Sequence, residues 1–191
     1  MADIYWVRHG PTHAKAMVGW SDLPADLSDT SALARLSEYL PNTAKIVSSD
    51  LARARATADA ITDGRNRLHH DPNLREMNFG DWEMWGFAQA TDAEPERAYA
   101  LWDQPGEVRP PGGESWNALT TRVNHAAERL IGLARKDPLV IVSHMGPILT
   151  QLQRALDVPA VEAFAHKIEP LSVTHIRLGP RWELKAVNVR P

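Results

Sequence analysis

The chain has 191 residues, of which 43% are hydrophobic and 24% are charged, a composition typical of one globular domain. The net charge of −3 argues against nucleic acid or an anionic membrane as a partner, and no apolar run approaches the roughly 20 residues that a membrane span needs. The absence of cysteine excludes disulfides, thiolate zinc sites and cysteine nucleophiles. We therefore expect a cytoplasmic protein with one domain over residues 1–191.

Strand-like and helix-like segments alternate in the first part of the chain. A short apolar run at 3–8 predicts a buried strand, which Gly10 and Pro11 end. Leucines repeat at helical spacing after Ser28, and Pro41 stops that helix. Up to residue 80, the sequence predicts strands at 3–8, 46–48 and 67–70 and helices at about 30–40 and 51–63.

The second part begins with an insertion rich in aromatic residues. Residues 83–103 mix a helical pattern with aromatics, and a loop of prolines and glycines follows at 104–113, so we expect a lid over about 81–113. The run at 139–142 is the clearest buried parallel strand. The remaining predicted elements are helices at about 115–135 and 146–156 and an edge hairpin of strands at 171–178 and 181–189. This alternation predicts an α/β fold, a three-layer α/β/α sandwich with a mostly parallel central sheet.

Arginine and histidine side chains follow three of the predicted strands. Arg8 and His9 end the first strand, and Arg53 lies in the first turn of the helix after the second. His144 ends the strand at 139–142. Because parallel strands bring their carboxyl ends to one edge of the sheet, these side chains are expected to converge there. Two guanidinium groups and two imidazoles suit a phosphate-sized anion, and an imidazole can attack phosphorus.

An ordered set of motifs in this chain resembles the histidine phosphatase superfamily, also called the phosphoglycerate mutase-like superfamily. Each motif alone is modest evidence, but together they cover about residues 3–150 in the family's order. The matching segments are Arg8-His9-Gly10, 19–24, 51–58, 74–83 and 112–115, followed by the second histidine at His144.

The resemblance implies roles for five residues. His9 would be the nucleophile that becomes phosphohistidine, with a backbone carbonyl holding its other ring nitrogen and so fixing the tautomer. Arg8, Arg53 and His144 would bind the phosphoryl oxygens. Glu76 would protonate the leaving alcohol and then activate water. The family's chemistry requires no metal, so we expect no cofactor and a small phosphate monoester as the substrate.

Several residue assignments stay open at this point. Glu83 and Glu114 rival Glu76 as the proton donor, because all three are glutamates in predicted loops or helix starts. Thr12 either contacts phosphate or caps a turn. The tryptophans between positions 82 and 116 belong either to the core or to the wall of a pocket.

Three departures from the family's pattern concern the substrate more than the reaction. Pro11 has no backbone N–H to offer a ligand, and Met145 stands where many relatives have a small residue. The segment at 25–29 lacks the glycine that relatives carry before the first helix. An aspartate does not follow His144, which argues against the acid-phosphatase branch.

The leading hypothesis is a metal-independent phosphomonoesterase, with a phosphomutase on the same residues as the alternative. The insertion is a poor site for a small, multiply charged acid, because its only basic residue between positions 83 and 107 is Arg97. Its acidic residues are Glu83, Asp92, Glu94, Glu96, Asp103 and Glu107. A catalytically idle module that binds a phospho-ligand or a protein is the third hypothesis. A homodimer stays open, because the sequence does not set the oligomeric state.

Overall fold

The computed structural model describes residues 2–135 and 137–191, which form one mixed sheet flanked by helices. In chain order the strands are β1 (Ala2–Arg8), β2 (Lys45–Ser48), β3 (Asn66–Arg67), β4 (Leu139–Ser143), β5 (Val173–Leu178) and β6 (Trp182–Val189). The α-helices are α1 (Thr30–Tyr39), α2 (Ala52–Ala60), α3 (Phe87–Ala93), α4 (Pro95–Asp103), α5 (Trp116–Ile131), α6 (Met145–Leu156) and α7 (Ala160–Phe164). Short 3-10 turns occupy Pro72–Leu74, Gly80–Trp82 and Gly132–Arg135.

The six strands lie in the order β3-β2-β4-β1-β5-β6. Strands β3, β2, β4 and β1 are parallel, whereas β5 runs antiparallel to β1 and β6 antiparallel to β5. The register pairs Arg8 of β1 with Ser143 of β4. The residues that follow these two strands, His9 and His144, therefore leave the sheet side by side.

Helices cover both faces of this sheet, and the inner strands are accordingly apolar on both sides. Alternate residues of β1 and β4 belong to two separate cores: Ile4, Trp6, Leu139 and Ile141 to one, and Val7, Val140 and Val142 to the other. Helices α5 and α6 contribute to the first core, and α1 and α2 to the second. The predicted three-layer α/β arrangement with a mostly parallel sheet is confirmed.

Most element boundaries agree with the sequence prediction, and the exceptions coincide with unusual backbone angles. Helix α2 ends at Ala60 rather than near position 63, ahead of a turn in which Asp63 and Gly64 have φ values of 39° and 77°. Strand β5 begins at Val173 rather than at 171, because Leu171 has a φ of 59° that interrupts an extended strand.

Three further differences concern short segments. Strand β3 covers only Asn66–Arg67 instead of 67–70. The helix predicted over about 115–135 ends at Ile131 and continues as the 3-10 turn Gly132–Arg135. Helix α7 was not predicted, since five residues show no periodicity that distinguishes a helix from a loop.

The insertion after β3 forms α3 and α4, which contribute Ala90, Ala98 and Leu101 to the first of the two cores. In the part of the chain that the structure describes, each helix is too short or too polar to cross a bilayer. The lid movement of residues 81–113, the single domain over 1–191 and the cytoplasmic location stay predictions.

Candidate active site

The ends of β1 and β4 bring the two candidate histidines into contact. The backbone N–H of His9 donates to Ser143 O over 3.0 Å, which continues the parallel ladder by one residue. The ring centroids of His9 and His144 lie 4.9 Å apart, with an angle of 59° between the ring planes. Both side chains are buried. We refer to Arg8, His9, Arg53 and His144 as the strand-end cluster.

Hydrogen bonds assign the tautomer of His9. Its Nδ1 lies 2.6 Å from Gly10 O, an acceptor, so Nδ1 carries the proton. Its Nε2 accepts a hydrogen bond from Arg53 Nε at 3.2 Å and therefore carries the lone pair. Burial, together with the positive charges of Arg53 and Arg8, lowers the pKa of His9 to about 3. The ring is thus neutral near pH 7, and Nε2 is the nucleophilic atom.

Thr57 joins this turn to helix α2. Its hydroxyl oxygen accepts from Gly10 N at 2.9 Å and donates to Arg53 O, one helical turn earlier, at 2.7 Å. A Cβ at Gly10 would lie 2.6 Å from Leu27 Cδ2, so a side chain there would require Leu27 to shift. Thr57 therefore helps to position the carbonyl that holds the His9 proton. Thr57 lies within the motif at 51–58, but the sequence pattern did not predict this positioning role for it.

The buried guanidinium of Arg53 is held by the loop after the first motif. Its Nη1 donates to Ser21 O at 2.8 Å and its Nη2 donates to Gly19 O at 2.7 Å. A Cβ at Gly19 would come within 2.1 Å of Met77 O, so this close approach requires glycine. The loop at 19–21 thus directs Arg53 toward the ring of His9.

The Glu83 carboxylate organises that same loop. It accepts hydrogen bonds from the amides of Gly19, Trp20 and Ser21 at 3.1, 2.7 and 3.1 Å. The Ser21 hydroxyl and the Phe79 amide donate to it at 2.7 and 3.1 Å. Burial raises the pKa of Glu83, but these donors outweigh burial and lower it below its ordinary value. Glu83 is therefore an ionised structural carboxylate and unsuited to donate a proton.

Glu114 also has a structural set of partners. It pairs with Arg122 at 2.7 Å and accepts the Asn78 amide at 2.9 Å. Arg122 in turn donates to the carbonyls of Asn73, Arg75 and Glu76 at 3.0, 3.0 and 3.1 Å. The pair therefore fixes the backbone that carries Glu76.

Glu76 is the candidate that lines the same cavity as the strand-end cluster. Its carboxyl oxygens accept from Gly146 N at 3.1 and 3.2 Å and from Met77 N at 2.8 Å. Burial raises the pKa of Glu76, against the opposing effect of these amides and of Arg53 and Arg8. A Cβ at Gly146 would lie 2.2 Å from Glu76 Oε1. Glycine at 146 thus makes room for a carboxyl group that tends to keep its proton.

His144 supplies two polar ring atoms that the described part of the chain leaves without a hydrogen bond. Its two ring nitrogens are buried and have no hydrogen-bond partner among the described residues. Burial lowers its pKa well below the ordinary value, and His9, Arg53 and Arg8 lower it further. Buried polar atoms are normally paired, so unused nitrogens beside His9 are typical of a ligand site.

Arg8 and Thr12 complete the polar part of the cavity wall. Arg8 donates from Nη1 to Ile168 O, which anchors it to the chain before β5, and its buried Nε has no partner among residues 2–135 and 137–191. Five of the six predicted site residues thus line one cavity of about 240 Å³, and the sixth, His144, lies behind it with its ring against that of His9. Within the described residues, no group of three or more metal-binding side chains is arranged to hold an ion.

Comparisons with known proteins give a family match over most of the chain. The chain matches the family model for the histidine phosphatase superfamily (branch 1) over residues 4–190. An adenosylcobalamin/alpha-ribazole phosphatase from Salmonella typhimurium is 34% identical over 175 residues, which cover 87% of this chain and 85% of that protein.

Two solved structures extend the comparison to the fold. The alpha-ribazole phosphatase from Shigella flexneri has a TM-score of 0.85 and 25% identity, covering 98% of this chain and 96% of that one. A mycobacterial glucosyl-3-phosphoglycerate phosphatase has a TM-score of 0.86 and 26% identity, with 100% of each chain covered.

Proposed function

The chain belongs to the histidine phosphatase superfamily as a phosphatase-type member, and on this premise we propose that it hydrolyses a small phosphate monoester through a phosphohistidine on His9, without a metal ion. One observation carries the proposal. His9 Nε2 accepts a hydrogen bond from the buried Arg53, the His9 ring lies against the buried His144, and Arg8 and Glu76 line the same cavity as His9.

In the first step, the lone pair of His9 Nε2 attacks phosphorus. The N–P bond forms while the bond from phosphorus to the alcohol oxygen breaks, and Glu76 gives its proton to that oxygen. The His9 Nδ1–H stays on Gly10 O throughout. Arg8 and Arg53 neutralise the phosphoryl oxygens, and a bound phosphoryl group competes with His9 for the Arg53 Nε–H.

In the second step, water attacks the phosphorus of phosphohistidine. The Glu76 carboxylate takes a proton from that water, the P–N bond breaks, and its electron pair returns to His9 Nε2. Inorganic phosphate leaves and Glu76 is again protonated. A carboxyl group whose pKa is raised by burial suits both roles, because it holds a proton before the first step and recovers one in the second.

The phosphomutase alternative is less well supported by the cavity. A mutase for small acids needs further cations to bind a second anionic group. The arginines that line this cavity, Arg8 and Arg53, both belong to the strand-end cluster and are used by the phosphoryl group. The alternative of a catalytically idle binding module is also less well supported. Gly10 O and Arg53 hold His9 in the tautomer that nucleophilic attack requires, and a binding protein has no need of that tautomer.

The test is hydrolysis of p-nitrophenyl phosphate with and without EDTA, using wild type and His9→Ala. We expect EDTA-resistant turnover by the wild type and an acid-labile, alkali-stable phosphate on His9 after rapid quenching. The His9→Ala variant should lose both, and Arg55→Ala, an exposed change on helix α2, is the control for folding. Equal turnover by His9→Ala would contradict the proposal, and a retained label without phosphate release would favour the mutase.

A further inference from the structure

The cavity that holds the strand-end cluster continues into an aromatic wall. We define this wall by Phe79, Trp102, Phe164 and Trp116, all of which line the cavity. Their rings form a continuous series: the centroids lie 6.1 Å apart for Phe79 and Trp102, 6.2 Å for Trp102 and Phe164, and 4.6 Å for Phe164 and Trp116. Four separate segments of chain thus build one apolar surface beside the reacting group.

The side chains around this surface are uncharged. Apart from the strand-end cluster and Glu76, the cavity is lined by apolar residues and by Thr12. The indole N–H of Trp116 already donates to Gln153 Oε1 at 2.8 Å, so that tryptophan contributes only its ring. A second anionic group, or a set of sugar hydroxyls, would be buried here with few side-chain partners, which is costly.

The volume of the cavity sets the size of its occupant. It measures about 240 Å³, compared with roughly 150 Å³ for an engineered apolar cavity that takes up benzene. The space therefore accommodates a phosphoryl group together with one compact aromatic ring system.

We propose that the alcohol half of the substrate is an uncharged aromatic group that stacks against this wall, and that Trp102 and Phe164 determine this specificity. The inference rests on the proposed phosphatase activity and adds a substrate class to it. A flat ring fits a wall of tilted aromatic rings, because edge-to-face and offset contacts are the favoured geometries. The phosphoryl group would meanwhile lie on the strand-end cluster.

A series of primary alkyl phosphates separates pocket contacts from leaving-group chemistry. We would compare kcat/KM for ethyl, benzyl and 2-naphthylmethyl phosphate and for 3-phosphoglycerate. We expect benzyl phosphate to exceed ethyl phosphate by about tenfold or more, since burial of one ring contributes on that order. Trp102→Ala and Phe164→Ala should lower kcat/KM for benzyl phosphate more than for ethyl phosphate and so remove most of this advantage, while Trp102→Phe should restore much of it.

Tyr99→Ala is the matched control, because Tyr99 is an exposed aromatic residue on the same helix as Trp102 and does not line the cavity. This variant should keep the full preference for benzyl phosphate. Equal rates for ethyl and benzyl phosphate, or a preference for 3-phosphoglycerate, would overturn the inference. An equal loss on every substrate in Trp102→Ala and Phe164→Ala would also overturn it, because it would show that the wall is only structural.

Binding of unreactive phosphonates keeps the inference testable apart from catalysis. Calorimetry should show that wild type binds benzylphosphonate about tenfold more tightly than ethylphosphonate, and that Trp102→Ala abolishes the difference. This result would support the aromatic site even if His9-dependent hydrolysis failed. Conversely, His9-dependent hydrolysis without any preference between the phosphonates would overturn the aromatic site and leave the phosphatase proposal intact.

Discussion

The two ends of the cavity are built in different ways. The strand-end cluster lies at the ends of β1 and β4 and at the start of α2, and hydrogen bonds donated to backbone carbonyl groups set the orientation of His9 and Arg53. The aromatic wall comes from the segment at Phe79, from α4 of the insertion, from α5 and from the short helix α7, and it is held by ring contacts. We infer that the reaction depends on residues at the strand ends of the sheet, and that substrate preference depends on the elements added to the sheet. Substitutions in the strand-end cluster should therefore slow the hydrolysis of all substrates, whereas substitutions in the aromatic wall should slow the hydrolysis of some substrates only.

The largest effect is expected from Glu76→Gln. Loss of the proton donor should slow benzyl phosphate hydrolysis by roughly 10²–10⁴-fold. p-Nitrophenolate leaves without a proton, so this substrate should give a rapid burst of about one product per site, followed by slow turnover that reports the missing base. Stopped-flow absorbance measures the burst. A burst in Glu83→Gln or Glu114→Gln, with normal kinetics in Glu76→Gln, would move the role to the rival glutamate.

Arg53→Lys should come next. A lysine has a single point charge and cannot contact both loop carbonyls and the ring of His9, so we expect kcat to fall by about 10²–10³-fold on every substrate. Arg55→Lys on the exposed side of the same helix is the matched control and should retain wild-type kcat. A loss confined to aromatic substrates would break the proposed division between the two ends of the cavity.

The buried histidines should make stability depend on pH, and the aromatic wall should not. The pKa of His9 is about 3 in the folded protein, below its ordinary value of 6.5, so the unfolded chain binds more protons between these values and stability rises with pH. From pH 7 to pH 5, His9 should reduce the free energy of unfolding by about 2 kcal/mol. Urea unfolding of wild type and His9→Gln measures this difference; equal pH dependence would contradict the neutral, buried ring.

The smallest effect is expected from Thr57→Val, which removes the contact to Gly10 N. We expect kcat to fall about tenfold for all substrates, because the carbonyl that holds the His9 proton loses its support. Thr62→Val is a matched control: Thr62 makes the same backbone contact four residues earlier, to Ala58 O at 2.8 Å, but does not touch the site. Equal activity of the two variants would show that Thr57 does not position the histidine.

The sequence predicted the strand-end cluster better than the aromatic wall, for a physical reason. Apolar runs that end in Arg8-His9 and in His144 reveal buried parallel strands, and parallel strands bring their ends together. The resemblance favours Glu76 over Glu83 and Glu114 as the proton donor, but local sequence does not separate the three, because their proton affinities depend on which tertiary amides and guanidiniums surround each carboxylate.

The sequence suggested that tryptophans could line a pocket, but it could not predict which aromatic residues pack together there. Trp102 and Trp116 line the cavity, whereas Trp82 is buried in the core, and their spacing in the chain does not distinguish these positions. Phe164 lies on α7, a five-residue helix without a detectable period. Long-range ring packing, rather than local pattern, brings these residues together.

Gly146 has a consequence for protein engineering. Any side chain there would push on the carboxyl group of Glu76 from the start of α6, so a variant library that samples this position would lose the acid before it altered the substrate. Positions 102 and 164 lie on the separate helices α4 and α7. A library confined to these two sites offers a route to new leaving groups with the hydrolytic chemistry unchanged.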